Sequence, residues 1–419
     1  MSGERLSLMS DAFSFQLLAR YPDLEADNLV AVDATDRLVL DEAAAAIEAA
    51  GTERVVVIGD HYGALTLGAI ALHGARNVRV HQDLVSGEQA LANNAVRTGL
   101  DTTGDLDATR LDPGATRSDP SATRSDHGAT PMGPGAGFRQ LPLTKELFLG
   151  ATVVIGQLPK SLDALREIAQ LAAAHADPDV AVFLGGRVKH MTRTMNDVLH
   201  DSFADVRASL ARQKSRVLVA GGPRPAGEAG ATAYPVRHHH LDLDLWVCAH
   251  GAAFGGTKLD LGTRFLLEFL DQMHPAAETA VDLGCGTGII ATTLARTRPQ
   301  LRVLATDESA GAVSSALATV AANGQSQRVT VQRDNAMSTV ADASVDLIAC
   351  NPPFHLGTSV HSEASVKLFQ AAGRVLRPGG QLWTVFNSHL PYRSQLTDAV
   401  GPTRVIGRNA KFTVTESNR

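Results

Sequence analysis

Short apolar strands alternate with helical stretches along both halves of the chain, and this alternation limits the possible folds more than any other feature. In the first half, residues 54–60, 78–81 and 152–156 are rich in β-branched side chains and are separated by helix-forming segments. The same alternation returns between residues 279 and 386. Because parallel strands need a crossover helix between them, this order predicts two α/β domains, each built on a mainly parallel sheet.

Length and composition fit two domains of ordinary size. The chain has 419 residues, of which 44% are hydrophobic, enough for two separate cores. The net charge of −6 gives no general attraction to nucleic acid, so any such binding must come from local basic patches. The amino-terminal stretch carries acidic residues and contains no long apolar run. We therefore expect neither a signal peptide nor a membrane span.

The cysteines and histidines predict no metal site. Cys248, Cys285 and Cys350 match no zinc spacing, and their unpaired pattern favours a reducing, cytoplasmic location. The run 238–240 contains three adjacent histidines, which cannot all face one ion from a strand. We expect this run to be an exposed polar stretch.

Composition also divides the chain. Residues 1–220 and 245–419 read as the two domains, and the Gly- and Pro-rich stretch within 221–244 reads as a linker. Within the first domain, residues 101–137 repeat Ala-Thr-Arg every seven positions, with Asp, Ser, Pro and Gly between. Such a segment cannot bury a core, so we expect a disordered, low-complexity insertion.

The strand at 345–349 ends at two prolines. Proline cannot donate to a sheet ladder, so Pro352 and Pro353 end the strand and leave Asn351 at its carboxyl end, where open α/β sheets bind ligands. The lone pair of a planar amine is delocalised, and its alkylation requires acceptors for both N–H groups. The Asn351 oxygen and the Pro352 carbonyl are candidates, and Phe354 offers a face for stacking. Taken alone, this tetrapeptide is also compatible with an ordinary turn.

A glycine-rich turn follows one of the second-half strands. Gly284, Gly286 and Gly288 allow a tight turn and close approach of a ligand to the backbone. A dinucleotide fingerprint would need its third glycine where Ile289 stands. The glycine spacing, with Asp282 before it, instead predicts S-adenosylmethionine (SAM) as the cofactor. The predicted cofactor contacts here are Asp282, Gly284, Cys285, Gly286 and Gly288.

Two further predicted strands end in acids, in the chain order expected for contacts to the ribose and then to the adenine of SAM. Asp307 and Glu308 follow the next strand, where an acid accepts ribose hydroxyls in nucleotide-binding sheets. Asp334 and Asn335 follow the third strand, where the adenine amino group would be met. These pairs, with the glycine turn before them and Asn351 after them, predict a methyltransferase site.

The segment from about residue 254 to 415 resembles the catalytic domain of the bacterial ribosomal RNA guanine-N2 methyltransferases, which modify 16S or 23S RNA. The matching stretches are 259–262, 282–286, 307–309, 351–355 and 389–392. Residues 158–161 and 189–191 also resemble the amino-terminal half of the large-subunit enzyme. The likeness therefore covers nearly the whole chain, apart from the heptapeptide insertion.

The resemblance implies a class I methyltransferase that uses SAM and acts on ribosomal RNA, naked or partly assembled. It implies that Asp282, Asp307, Asp334 and Asn335 hold the cofactor and that Asn351 holds the target amine. We favour the 23S branch, with the 16S branch close behind. Methylation of adenine N6 or of a protein glutamine, which uses the same tetrapeptide, is the enzymatic alternative. A non-catalytic RNA-binding assembly protein is the alternative from another class.

The two halves also resemble each other. Residues 57–63 align with 282–288, and residues 154–160 align with 348–354. In the first copy Val57 replaces the acid and His61 replaces the middle glycine. The predicted fold is therefore two tandem Rossmann-like class I methyltransferase domains, of which the amino-terminal copy is degenerate.

We expect the degenerate copy to hold RNA. Positive charge recurs in its last third, although the same residues are also compatible with a solvated helix face. The basic residues are Arg187, Lys189, His190, Arg193, Arg207, Arg212, Lys214 and Arg216.

Overall fold

The computed structural model describes residues 13–23, 29–100, 137–225, 232–352 and 359–419, without the side chains of 359–364. The chain forms two compact units, and the described residues contain two seven-stranded sheets. The first unit comprises Met1–Gln82, Gly87–Lys160 and Ile168–Ala229, and the second comprises Asp83–Ser86, Ser161–Glu167 and Gly230–Arg419. The predicted insertion at 101–137 lies outside the described residues except for its last position.

Strands and helices alternate between residues 29 and 225 as the sequence predicts. The helices are α1 (Ala34–Ala49), α2 (Ala64–His73), α3 (Val85–Arg97), α4 (Lys145–Phe148), α5 (Leu162–His175) and α6 (Arg193–His200). The strands are β1 (Val55–Ile58), β2 (Val78–His81), β3 (Phe138–Gln140), β4 (Val153–Gln157), β5 (Ala181–Arg187), β6 (Phe203–Ala208) and β7 (Ser215–Pro223). The sheet order is β3-β2-β1-β4-β5-β7-β6, with β1 to β5 parallel and the last two strands antiparallel.

Helix α1 packs on this first sheet and is fixed at its start by a capping box. The Asp33 carboxylate accepts the backbone N–H groups of Thr35 and Asp36, and the Asp36 carboxylate accepts the N–H of Asp33. Further along the helix, Ile47 is buried in the same cluster as Val57 of β1. The cap therefore holds Asp36 at a defined position at the start of the helix.

The second half repeats the pattern. Its helices are α7 (Leu261–Leu267), α8 (Ile289–Thr297), α9 (Ala310–Ala322), α10 (Ser359–Val375) and α11 (Tyr392–Ala399). Its strands are β8 (Val236–His240), β9 (Leu245–Ala249), β10 (Thr279–Leu283), β11 (Arg302–Asp307), β12 (Val329–Arg333), β13 (Val345–Cys350), β14 (Leu376–Asn387), β15 (Thr403–Arg408) and β16 (Phe412–Asn418). The large sheet has the order β12-β11-β10-β13-β14-β16-β15, which is the order of the first sheet strand for strand.

Both faces of the second sheet are covered, as expected for parallel strands. On one face, Ala349 of β13 and Val385 of β14 pack with Leu266 of α7 and with α8. On the other face, Ile348 and Cys350 pack with α10 and α11. Because side chains alternate along a strand, the position after Cys350 returns to the α7 side of the sheet.

The three adjacent histidines lie on β8, which pairs antiparallel with β9 as a separate hairpin. His238 is exposed, whereas His239 stacks on Trp246 with ring centroids 4.8 Å apart. His240 lies 2.7 Å from the carbonyl oxygen of Thr257. Among the described residues, no group of three or more His, Cys, Asp or Glu side chains is arranged to hold a metal ion.

Predicted and observed elements agree closely. The carboxyl-terminal strands β15 and β16 form an antiparallel pair. The start of β14 is irregular, because Val345 pairs with Leu376 while Leu347 pairs with Gln381. The sequence did not predict β3 and β6, which lack long apolar runs, and it did not predict the β8–β9 hairpin, although β9 is apolar throughout. None of the described helices combines the length and apolar character that crossing a membrane would require.

Candidate active site

Three neighbouring strands of the second sheet end in side-chain oxygens that have no hydrogen-bond partner among the described residues. Asp282 lies on β10, Asn351 follows β13, and Asn387 ends β14. The Oδ1 atom of each is buried and unpaired. Alternation along the strands directs all three toward the face covered by α7 and α8. Buried polar atoms are normally paired, so this edge of the sheet has the character of a ligand site.

The amide of Asn351 is held in one orientation. Its Nδ2 donates to Asp260 Oδ2 at 3.0 Å and to Thr263 Oγ1 at 2.9 Å. A carboxylate only accepts hydrogen bonds, so the nitrogen must face Asp260. The amide oxygen consequently points away from both partners. This oxygen is the unpaired Oδ1 described above.

Both partners of Asn351 belong to the start of α7. Asp260 is the N-cap, and its Oδ2 also accepts the backbone N–H groups of Gly262 and Thr263. Gly262 is needed there because a Cβ at its position would lie 2.9 Å from Asp260 Oδ2 and 3.5 Å from Asn351 Oδ1. Residues 259–262 belong to the stretches that resemble the family, but neither Asp260 nor Thr263 was predicted to have a role. The sequence signal that could have indicated these roles is an acid, Asp260, followed three residues later by a hydroxyl side chain, Thr263, a pattern typical of a helix start.

The rest of the predicted tetrapeptide is only partly described. Pro352 is buried and follows Asn351 beyond the end of β13. Pro353 and Phe354 lie outside the described residues. The predicted stacking role of Phe354 therefore stays a prediction.

The glycine turn after β10 has the strained backbone that only glycine adopts readily. Gly284, Gly286 and Gly288 have φ values of 72°, 52° and 76°. A Cβ at Gly284 or Gly286 would meet no atom within 4 Å, whereas one at Gly288 would lie 3.0 Å from the Cβ of Ala316. The first two glycines therefore border open space that a ligand can enter. Gly288 serves close packing on α9.

Asp282 lies beneath this turn and is fully buried. Its Oδ2 accepts the N–H of Ala291 at 2.9 Å, and Oδ1 has no partner. Burial raises the pKa of this carboxyl to about 7. Cys285 is also buried, and burial raises the pKa of its thiol well above the usual value. A buried acid with one open acceptor suits a cationic ligand group.

Asp307 lies at the end of β11, the strand next to β10. Its Oδ2 accepts the N–H of Gly286 and its Oδ1 accepts the N–H of Ser309, both at 2.9 Å. Burial raises its pKa. These bonds tie the acid to the glycine turn, and each oxygen keeps a second lone pair for a ligand hydroxyl. Glu308 follows and is half-buried.

Asp334 follows β12, but its carboxylate faces its own loop. Its Oδ1 accepts hydrogen bonds from the backbone N–H and the hydroxyl of Ser338, and its Oδ2 accepts hydrogen bonds from the backbone N–H and the hydroxyl of Thr339. Burial alone would raise its pKa, but these hydrogen bonds together lower it. The side chain of neighbouring Asn335 is half-buried, and its Oδ1 accepts from Lys367 Nζ at 2.7 Å. The structure thus gives Asp334 the role of shaping the loop.

The first sheet contains a counterpart of this site, which confirms the alignment of the two halves. Val57 pairs with Ile155 as Asp282 pairs with Ala349, so Val57 occupies the position of the buried acid. His61, with φ of 56°, occupies the position of Gly286. Its N–H is accepted by Gln82 Oε1 at 3.0 Å, as Asp307 accepts that of Gly286. Gln82 is thus the counterpart of Asp307, a match that the sequence comparison did not identify.

The counterpart of Asn351 is Gln157, at the end of β4. Gln157 Nε2 donates to Asp36 Oδ1 at 2.5 Å. Asp36 is the third residue of α1 as Thr263 is the third of α7, and each helix has an aspartate N-cap. Burial raises the pKa of Asp36 to about 7. Unlike Asn351, Gln157 has no unpaired buried oxygen among the described atoms.

Comparison with known proteins agrees with this architecture. Residues 244–416 match the family described as Methyltransferase small domain, and residues 7–118 and 134–224 match the family described as RLMG N-terminal domain. A T. thermophilus 16S rRNA N2 methyltransferase, RsmC, solved in complex with AdoMet and guanosine, is similar at a TM-score of 0.65 and 17% identity over 92% of both chains. This likeness confirms the predicted fold of two class I methyltransferase-like domains.

Full-length relatives carry the name Ribosomal RNA large subunit methyltransferase G. The Streptomyces avermitilis relative is 31% identical over 97% of both chains. The Streptomyces coelicolor relative is 32% identical over 97% of this chain and 98% of its own. The Pseudomonas fluorescens relative is 30% identical over 99% of this chain and all of its own. The chain therefore belongs to the ribosomal RNA large subunit methyltransferase G family.

Proposed function

We propose that this protein transfers a methyl group from SAM to the exocyclic N2 of a guanosine in 23S ribosomal RNA, in the cytoplasm. The observation that carries the proposal is the amide of Asn351, oriented by Asp260 and Thr263 so that an unpaired oxygen is left at the edge of the sheet. The names of the full-length relatives support ribosomal RNA of the large subunit as the substrate.

The residues at the glycine turn fit the cofactor. Gly284 and Gly286 border open space for its aminoacyl chain, and Asp282 Oδ1 is free to accept from its ammonium group. Asp307 is tied to the turn and keeps lone pairs for the ribose hydroxyls. Glu308 and Cys285 flank these groups, and the loop at 334–335 would meet the adenine through its backbone. When bound, SAM supplies an activated methyl group on its sulfonium.

The protein's part in the reaction is chiefly positioning. The target guanine must leave its stack to reach the sheet edge, at a cost of about a few kcal/mol that is smallest in loops and unpaired RNA. Asn351 Oδ1 and the Pro352 carbonyl accept the two N2 hydrogens and favour a pyramidal nitrogen. Phe354 offers the stacking face. No side chain is needed as a strong base, because the N2 proton becomes acidic once the nitrogen is alkylated.

We assign RNA binding to the amino-terminal domain. His61 and Val57 stand where a cofactor-binding copy has its middle glycine and its acid, so this copy would not bind SAM. Its basic residues lie mainly at the surface: Lys189, Arg193, Arg207 and Lys214 are exposed. Phosphate contacts of this kind position RNA without reading its sequence.

The test compares substrates directly. The full-length protein is incubated with tritiated SAM and protein-free 23S RNA, 16S RNA or a peptide-release factor. The proposal requires label in 23S RNA from cells that lack this chain, and N2-methylguanosine after digestion. Label in 16S RNA would favour the small-subunit branch. N6-methyladenosine or labelled release factor would overturn the proposal in favour of the other amine substrates. An absence of both SAM binding and label would support a non-catalytic assembly role.

A further inference from the structure

Asn387 has an unpaired amide oxygen to which the proposed methyl transfer assigns no role. It is the last residue of β14, half-buried, and its Oδ1 is buried without a partner among the described residues. No side-chain hydrogen bond among the described residues requires an amide there, and an unpaired buried acceptor lowers stability relative to an apolar side chain of the same shape. Such atoms in a native fold commonly await a ligand.

Strand register places Asn387 two residues further along β14 than Val385, the position level with Asn351. β13 and β14 are parallel neighbours, with Cys350 opposite Thr384. Asn351 directly follows β13 and Asn387 is the last residue of β14, and alternation directs both toward the α7 side. Neighbouring strands are about 4.8 Å apart and two residues of a strand rise by about 6.6 Å, so the two side chains start about 8 Å apart on the diagonal, a separation that one planar base can bridge.

Phe412 and Gly262 connect the two asparagines. Phe412 is directly opposite Asn387 in the antiparallel β14–β16 pair. The ring of Phe412 would lie 3.3 Å from a Cβ at Gly262, and Asn351 Oδ1 would lie 3.5 Å from the same point. The two amides therefore border one small region, with an apolar ring along its side.

We propose that Asn387 accepts the N1–H of the target guanine and thereby selects guanine over adenine; this rests on the proposed function. The edge of guanine next to N2 presents three N–H hydrogens, two on N2 and one on N1. Asn351 and Pro352 account for the first two, and Asn387 Oδ1 accounts for the third. Adenine has a lone pair at N1 beside its amino group. That lone pair would face the Asn387 oxygen without a hydrogen between them.

The test uses Asn387→Leu and Asn387→Asp in the full-length protein, with protein-free 23S RNA from cells that lack this chain. Leucine removes the acceptor, so kcat/KM should fall about tenfold or more while SAM affinity stays unchanged. The melting temperature should not fall, because leucine also removes an unpaired buried oxygen. Aspartate keeps an acceptor, so its kcat/KM should exceed that of the leucine variant.

A changed substrate separates binding from a structural role. Once the modified position is mapped, 23S RNA is ligated with 2-aminopurine there, which keeps the N2 amine and lacks the N1 hydrogen. With the 2-aminopurine RNA, the kcat/KM of the wild type should fall by the same factor that Asn387→Leu causes with guanine RNA. The leucine variant should have the same kcat/KM for both RNAs.

Three results would overturn the inference. The first is a kcat/KM of Asn387→Leu within twofold of the wild type, and the second is an equal loss of kcat/KM in the leucine and aspartate variants with matching falls in melting temperature. The third is a selectivity for guanine over 2-aminopurine that is the same in the wild type and in Asn387→Leu. If the wild type makes no N2-methylguanosine, the proposed function fails as well. If it does and the leucine variant is unaffected, only the role of Asn387 fails.

Discussion

The side-chain nitrogen of Asn351 lies 3.0 Å from the carboxylate of Asp260, a residue 91 positions earlier in the chain. This contact decides which end of the amide faces the proposed substrate site. A carboxylate accepts and cannot donate, so the amide nitrogen is held back and the oxygen is presented. The same carboxylate oxygen caps α7. One atom therefore caps the helix and orients the amide that we propose to bind the substrate.

Replacing this carboxylate should disturb the reaction more than the fold. We expect Asp260→Ala to lower kcat about tenfold or more, because Asn351 loses its orienting partner, and to cost about 1 kcal/mol through the lost N-cap. Asp260→Asn keeps a side-chain oxygen for both functions and should stay near the wild type. Methylation kinetics and thermal unfolding measure the two effects. Equal kcat in the alanine and asparagine variants would contradict the orienting role.

Removing the amide of Asn351 should separate binding from turnover. Asn351→Ala should keep SAM affinity and slow methyl transfer by about 2–4 kcal/mol in activation free energy, as for other lost oriented hydrogen bonds. Isothermal titration with SAM and single-turnover methylation provide the two readings. Asn418→Ala is a suitable control, because it removes an amide on β16, level with Gln381 of β14, that donates to Glu416 away from the proposed site. A turnover rate equal to that of this control would remove Asn351 from the mechanism.

The glycine turn allows a test at matched backbone strain. Gly286 and Gly324 have φ of 52° and 66°, and a Cβ on either would meet no atom within 4 Å. Alanine at each position should therefore cost a similar 1–2 kcal/mol, roughly, of stability. Only Gly286→Ala should weaken SAM binding, since its methyl group would enter the space beside Asp307. SAM titration of both variants measures this difference. Comparable SAM affinities would show that the cofactor does not approach this turn.

The sequence predicted the catalytic sheet and its strand ends because each relies on local chemistry. Prolines end β13, glycines form the turn after β10, and Val57 aligns with Asp282 through strand periodicity alone. The contact between Asn351 and Asp260 was not predictable in this way, because it depends on how α7 packs beside β13. The orientation of Asp334 was likewise missed. An acid after a strand looks the same in sequence whether it faces a ligand or caps the next turn, as Asp334 does.

Stability should depend on pH through Asp282. Its pKa is about 7 in the folded protein, because of burial, against an ordinary value of 3.8. The folded state therefore holds this proton more tightly, and the associated stability is fully present below about pH 3.8 and is lost as pH rises through about 7. Asp282→Asn should have a smaller fall in unfolding free energy between pH 4 and 7, by up to about 1.4 kcal/mol per pH unit. Urea unfolding across this range measures the slope. Parallel curves for wild type and variant would refute the assignment.

The basic surface of the amino-terminal domain predicts a salt-dependent contribution to RNA binding. Arg207 is exposed on β6, and Arg302 is exposed at the start of β11, at the edge opposite the proposed active site. If Arg207 contacts a phosphate, Arg207→Ala should weaken binding and reduce the slope of log affinity against log salt by about 0.7–0.9, the value for one contact. Arg302→Ala removes the same charge and should leave the slope unchanged. Filter binding of protein-free 23S RNA at several KCl concentrations gives both slopes. If the two variants share one slope, RNA responds to overall charge, and the assigned surface is wrong.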